Sequence, residues 1–269
     1  MMKEKAQEAI LSEIKNQLRL LKPSQPDDEL KKACLKLMDV FDKNPEMKTH
    51  LITNHGLLPL INLLNSKDVN VVNAVLRLVT QIIESNEILV NLCVMGIIPV
   101  IMECGSAGHT LLTRLYAAYF VQRVISTAET LQMFVACRGL SVLVNFLESD
   151  YKSYKDIVHI AIDCISSIFK IQNQTATPKN EYFHLFLTAG LLEKLSITLV
   201  NLLNDNEHNS YTGTNDIPDE DDEWTFTEKV CKIFKVFSLG DSEVKVSMCS
   251  PEILSSKILY INIVFLIYF

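Results

Sequence analysis

Residues that make turns are scarce in this chain: eight glycines and eight prolines in 269 residues, roughly half of ordinary usage. A sandwich or barrel needs a turn signal every ~8–12 residues, and that supply is missing. Paired metal motifs are missing as well, with no Cys-x-x-Cys, no His-Glu-x-x-His and no EF-hand loop. The seven cysteines (Cys34, Cys93, Cys104, Cys137, Cys164, Cys231 and Cys249) stand singly inside apolar segments. Their odd count, with no apolar leader after Met1, predicts reduced thiols in a cytoplasmic protein. Basic charge is not in excess either. The net charge is -7, and the stretch from Asp205 to Glu223 carries eight acidic residues and no Lys or Arg. Without a basic field to attract a phosphate backbone, no nucleic-acid partner is expected.

What is present is helical material. Hydrophobic residues make up 48% of the chain and mean hydropathy is +0.18, too apolar for disorder. Gly56, Gly96, Gly139 and Gly190 follow one another at 40, 43 and 51 residues, each opening a run such as Gly56-Leu-Leu-Pro-Leu-Ile or Gly96-Ile-Ile-Pro-Val-Ile. Each glycine ends a short helix in the left-handed conformation, and Pro59 and Pro99 fall in the first turn of the next helix. A third, longer helix follows near Val69–Glu84, Thr110–Ser126 and Lys155–Lys170. A period of about 40–47 residues marks armadillo or HEAT repeats, and three helices per unit favour armadillo. The expected fold is therefore all-α, a right-handed α-superhelix of three-helix repeats.

Residues 1–44 are predicted to hold N-terminal helices of a partial repeat, with helical material at Leu18–Asp42. Full repeats are expected at about 45–85, 87–127, 129–172 and 179–240, within an armadillo region of 45–254. The acidic segment 205–223 is expected to be a disordered loop. Residues 255–269 form an apolar tail out of keeping with the rest: Ile258–Phe269 carries no charge and is too short to span a bilayer as a helix, which needs ~20 residues. It is expected to be an aberrant terminus, and no membrane span is predicted.

Catalytic constellations are absent. Gly105-Ser-Ala-Gly108 lacks the spacing of a phosphate loop, and no His-Arg-Asp or Asp-Phe-Gly tripeptide occurs. Ser12-Glu-Ile-Lys15 lacks its companion motifs, and the Asn173-Gln-Thr175 sequon is inert without export. His50 and His55 are poorly spaced for a shared metal. No catalytic residue, metal or cofactor is expected, and the chain is read as non-enzymatic. The remaining candidate is surface. Third helices of armadillo solenoids line a groove that binds extended or helical partners. The polar residues at matching places there are Asn73, Arg77 and Gln81; Arg114 and Gln122; His159, Asp163 and Ser167; and Lys232 and Lys235. A merely solvated helix face has the same pattern, and both readings stay open at this stage.

One stretch is more specific. The run from Thr130 to Tyr151, Thr-Leu-Gln-Met-Phe-Val-Ala-Cys-Arg-Gly-Leu-Ser-Val-Leu-Val-Asn-Phe-Leu-Glu-Ser-Asp-Tyr, resembles the armadillo region of the septation-initiation Ste-group kinases. That family includes fungal and amoebal septases and plant MAP-kinase-kinase-kinase epsilon. Val158-His-Ile-Ala-Ile-Asp163, Ile168-Phe-Lys170, Thr177-Pro-Lys-Asn-Glu-Tyr-Phe183 and Val230-Cys-Lys-Ile-Phe-Lys-Val-Phe-Ser238 extend the similarity across about Ala33–Leu254. The resemblance implies a non-catalytic docking or regulatory segment of a cytokinesis-signalling kinase, with cytokinesis-pathway signalling proteins as partners. A rival is an armadillo transport or adaptor receptor for linear peptides. Import adaptors carry a Trp and an Asn on successive third helices, whereas Trp224 is the only tryptophan here.

Overall fold

The computed structural model describes residues 2–148, 150–209, 225–250 and 253. Among them are fifteen α-helices and no strand. The tail at 255–269 and all but the first few residues of the acidic segment lie outside the described residues. The chain divides into two compact units, 1–124 and 125–269.

The first unit opens with α1 (Met2–Leu20) and α2 (Asp27–Lys43). The helical stretch expected from Leu18 is broken over residues 21–26, where Pro23 and Pro26 cannot continue a helix. Two groups of three helices follow. The first is α3 (His50–Thr53), α4 (Leu57–Leu63) and α5 (Val69–Ile82); the second is α6 (Asn86–Val94), α7 (Ile97–Cys104) and α8 (Leu111–Val124). In α5, apolar residues recur at helical spacing, so Val71, Val75, Leu78, Val79 and Ile82 are all fully buried. That helix packs between α2 and α8, placing three long helices side by side.

The second unit repeats the order. It contains α9 (Ala128–Ala136), α10 (Leu140–Phe146) and α11 (Tyr151–Ile171), then α12 (Lys179–Thr188), α13 (Leu191–Asn209) and α14 (Phe226–Ser238), followed among the described residues by α15 (Ser242–Met248). Helix α11 begins four residues before the expected Lys155 and is kinked at Tyr154 (φ -119°, ψ 22°). Helix α13 runs to Asn209, so the acidic segment starts inside a helix. Its core is aromatic: Phe169, Phe183, Phe186 and Phe237 meet with ring centroids 5.0–5.6 Å apart.

Only two of the four junction glycines adopt the expected left-handed conformation, Gly96 (φ 89°) and Gly190 (φ 77°). At the other two junctions His55 (φ 53°) and Arg138 (φ 61°) take that position. The next amide, of Gly56 or Gly139, then donates back five residues to Leu51 O (2.8 Å) or Phe134 O (2.9 Å), which closes the helix end. Glycine is needed there for a different reason. A Cβ on Gly139 would lie 2.3 Å from the Phe134 ring, and one on Gly56 would lie 2.9 Å from Leu18.

Candidate functional site

The third helices of the first unit are tied by hydrogen bonds at the repeat spacing. Thr113 Oγ1 donates to Asn73 Oδ1 (2.8 Å). Gln81 Nε2 donates to Met38 O (3.0 Å) and to Asp42 Oδ1. Arg123 donates to Ile83 O (3.1 Å), Glu84 O (2.9 Å) and Asn86 Oδ1 (3.2 Å), while Lys48 reaches Gln81 O (3.0 Å) and Glu84 Oε2 (2.7 Å). Two cations therefore converge on carbonyls at the end of α5 and just past it, where they complement the negative end of its dipole.

These ties sort the expected site residues. Asn73 and Gln81 are half-buried and occupied between helices, whereas Arg77 and Gln122 face solvent. Arg114 does not share the exposed stripe with Arg77 as the helical spacing had it. It is 3% exposed, and its Nε donates to Gly105 O (3.2 Å), holding the α7–α8 connection. The stripe shifted because burial on α8 follows contact with α5, which a single-helix pattern does not register.

A different set is presented instead. Gln81 and Arg123, 42 residues apart, both bond back to the preceding third helix or its end, which fixes the register between repeats. At the same spacing, Leu35 (52% exposed), Arg77 and Tyr119 (43% exposed) occupy equivalent outer positions on α2, α5 and α8.

In the second unit α11 and α14 lie side by side. His159 stacks on Phe226 with centroids 3.7 Å apart, and its Nε2 lies 2.8 Å from Tyr151 Oη. Burial, reinforced by the Lys155 ammonium, pushes the His159 pKa below its ordinary value. Asp163 accepts from Lys229 Nζ at 2.7 Å, and that ammonium also sits 4.8 Å from the centre of the Phe226 ring. Lys155 donates to Asp205 at 2.7 Å, which raises the lysine and lowers the carboxyl. Ser167 is half-buried on α11, Lys232 is half-buried on α14 and Lys235 is exposed there. His159 and Asp163 are thus brought together with each other and with α14. Lys229, Phe226, Lys48 and Arg123 escaped the sequence reading. For Lys48 and Arg123 the signal is partner spacing near one repeat, and for Lys229 and Phe226, whose partners lie 66 and 67 residues back across the acidic segment, it is the register of α14 on α11; both need the fold before they can be used.

Among the described residues no three His, Cys, Asp or Glu side chains converge to hold a metal. Burial pushes the Cys34 thiol up to about 12 and, with Glu103, the Cys104 thiol up to about 11, which disfavours the nucleophilic thiolate. No single helix among the described residues is long and apolar enough to cross a membrane.

MAP3K epsilon protein kinase 1 of Arabidopsis thaliana is 39% identical over 186 residues, 68% of this chain and 14% of that protein. Cytokinesis protein sepH of Aspergillus terreus is 35% identical over 239 residues, 87% of this chain and 16% of that one. The chain is related to the septation-initiation kinases. It spans about one-sixth of the length of these curated relatives or less. No family model matches the chain. Among solved structures, a designed armadillo repeat protein in complex with the peptide (KR)4 superimposes with TM-score 0.63 and 19% identity, over 92% of this chain and 89% of that one. Computationally designed armadillo repeat proteins for modular peptide recognition give 0.64 and 19%, over 90% of each chain. The fold is armadillo, as the repeat spacing predicted, and the septation-kinase relatives share the sequence.

Proposed function

We propose that this chain is a non-catalytic protein-interaction module, the regulatory armadillo region of a septation-type serine/threonine kinase, which works in the cytoplasm and binds linear segments of cytokinesis-signalling proteins across its third helices. Catalysis in this reading belongs to a kinase domain outside the matched stretch. The observation that carries it is the Leu35, Arg77 and Tyr119 series. These side chains are exposed, they recur at the repeat spacing, and they include Tyr119 and Arg77, whose residue types are enriched among the residues that dominate interface energies. Support also comes from the designed armadillo relatives, one of which holds a peptide.

A display selection of peptides on the chain, followed by titration of the best binder, tests this. The double variant Arg77→Glu, Tyr119→Ala should bind about tenfold more weakly or worse with an unchanged melting curve. Equal affinity for variant and wild type would overturn the assignment of this face.

A further inference from the structure

Arg77 stands on α5 between two amide side chains that tie this helix to both of its neighbours. One turn before it, Asn73 Oδ1 accepts from Thr113 on α8 at 2.8 Å. One turn after it, Gln81 donates to Met38 O on α2 at 3.0 Å and to Asp42 on the same helix. The base of the exposed guanidinium is therefore held in register against both flanking helices. Equivalent outer positions on those helices carry Leu35 (52% exposed) and Tyr119 (43% exposed), and Leu112 (47% exposed) lies two turns before Tyr119 on α8.

The charges of this face have one sign at its centre. Neither α5 nor α8 contains an Asp or Glu, although 32 of the 269 residues are acidic. Their cations are Arg77, Arg114 and Arg123. Arg114 is buried on Gly105 O and Arg123 bonds to the Ile83 and Glu84 carbonyls, which leaves Arg77 as the exposed one. On α2, Asp42 accepts from Gln81, Asp39 pairs with Lys43 at 2.7 Å and Asp28 pairs with Lys31 at 2.8 Å. A guanidinium between apolar and aromatic side chains suits a carboxylate that arrives with apolar neighbours. Its planar fork matches the two oxygens, and apolar cover strengthens the pair by excluding water.

We infer that the face formed by α2, α5 and α8 recognises a protein segment with an acidic side chain between two apolar ones. The carboxylate pairs with Arg77, one apolar side chain covers Leu35, and the other covers Tyr119 and Leu112. The inference rests on the proposed reading of third helices as the peptide-binding surface and gives it a ligand class. Packed helix axes lie ~8–10 Å apart, and an extended chain advances ~3.3 Å per residue. Each apolar residue therefore stands about two or three positions from the acidic one. A basic peptide such as the (KR)4 held by the designed armadillo protein has the wrong sign for Arg77.

The test is fluorescence polarisation on the full chain with two labelled peptides, Leu-Ser-Glu-Ser-Leu and Leu-Ser-Ser-Glu-Ser-Ser-Leu. Each is set against two controls, one with Lys in place of Glu and one with Ser in place of both Leu. At least one Glu peptide should bind about tenfold more tightly than either of its controls. Arg77→Glu should reverse the charge preference, weakening the Glu peptide and strengthening the Lys peptide about tenfold each, with an unchanged melting curve. An arginine with a merely structural role would not exchange one ligand charge for the other. No binding of either Glu peptide, equal binding of the Glu and Lys peptides, or a Glu preference that survives Arg77→Glu overturns the inference. Binding that persists without the leucines also overturns it, since that is attraction to charge alone. In each of these cases the proposed function still stands if display-selected peptides lose affinity in the Arg77→Glu, Tyr119→Ala variant. If they keep their affinity there, that reading falls and the inference falls with it.

Discussion

Arg114 and Arg77 show how differently one residue type behaves on neighbouring third helices. Arg114 is buried against the Gly105 carbonyl, while Arg77 is exposed. Reversal at Arg114 leaves a carboxylate in place of a buried donor, a change expected to cost more than about 3 kcal/mol. Reversal at Arg77 should stay within about 0.5 kcal/mol of wild type. Urea unfolding of Arg114→Glu and Arg77→Glu measures both; equal stability of the two variants would contradict the burial difference. His159 carries a pH signature. Its folded pKa is lowered by burial, then by Lys155, and is opposed by Asp156, Asp163 and Asp205, with Lys229 and Tyr151 packed nearby. Below the ordinary value of 6.5 the unfolded chain takes up the proton more readily than the folded one, so stability falls as pH drops through that value. His159→Gln should flatten this limb, leaving the losses from Asp205 and Asp241, whose lowered values place them below 3.8. Melting temperatures at a series of pH values check the sign; a His159→Gln profile identical to wild type would contradict it.

At the scale of helices, the junctions separate two demands that look alike in sequence. Gly96 is there for its positive φ and has open space around it, so Gly96→Ala should cost about 1–2 kcal/mol in backbone strain. Gly139 has an ordinary φ, but its neighbour is the buried Phe134 ring, so Gly139→Ala should cost about 1–3 kcal/mol through overpacking. Trimming the ring as well, in Gly139→Ala with Phe134→Leu, should recover part of the second loss and none of the first. Chemical denaturation of these variants tests the distinction, and an unchanged loss in the double variant would refute it. A glycine after a short apolar helix was legible as a junction. Whether the glycine or the residue before it turns left-handed was not, because that depends on what packs over the next amide, Leu18 in one case and Phe134 in another.

At the scale of the whole chain, the repeat period carried the fold. Glycine spacings near 40 residues, Pro59 and Pro99 in first turns and a long apolar third helix were enough to read three-helix repeats, and the septation-kinase relatives agree with the run from Thr130 to Tyr151. The binding surface was less legible. A polar residue on a third helix either faces solvent or spans to the next helix, and only the register decides. Asn73 and Gln81 went one way and Arg77 and Gln122 the other, although all four sit on polar stripes of their helices. The tyrosine and leucine that complete the series with Arg77 were passed over because their types belong equally to a core. Hydrogen–deuterium exchange on the chain, with and without a peptide selected to bind it, tests the role of the third helices most directly. Protection is expected on α5 and α8 for a peptide held through Arg77 and Tyr119. Protection confined to the first and second helices of the repeats, α3, α4, α6, α7, α9, α10, α12 and α13, would contradict it.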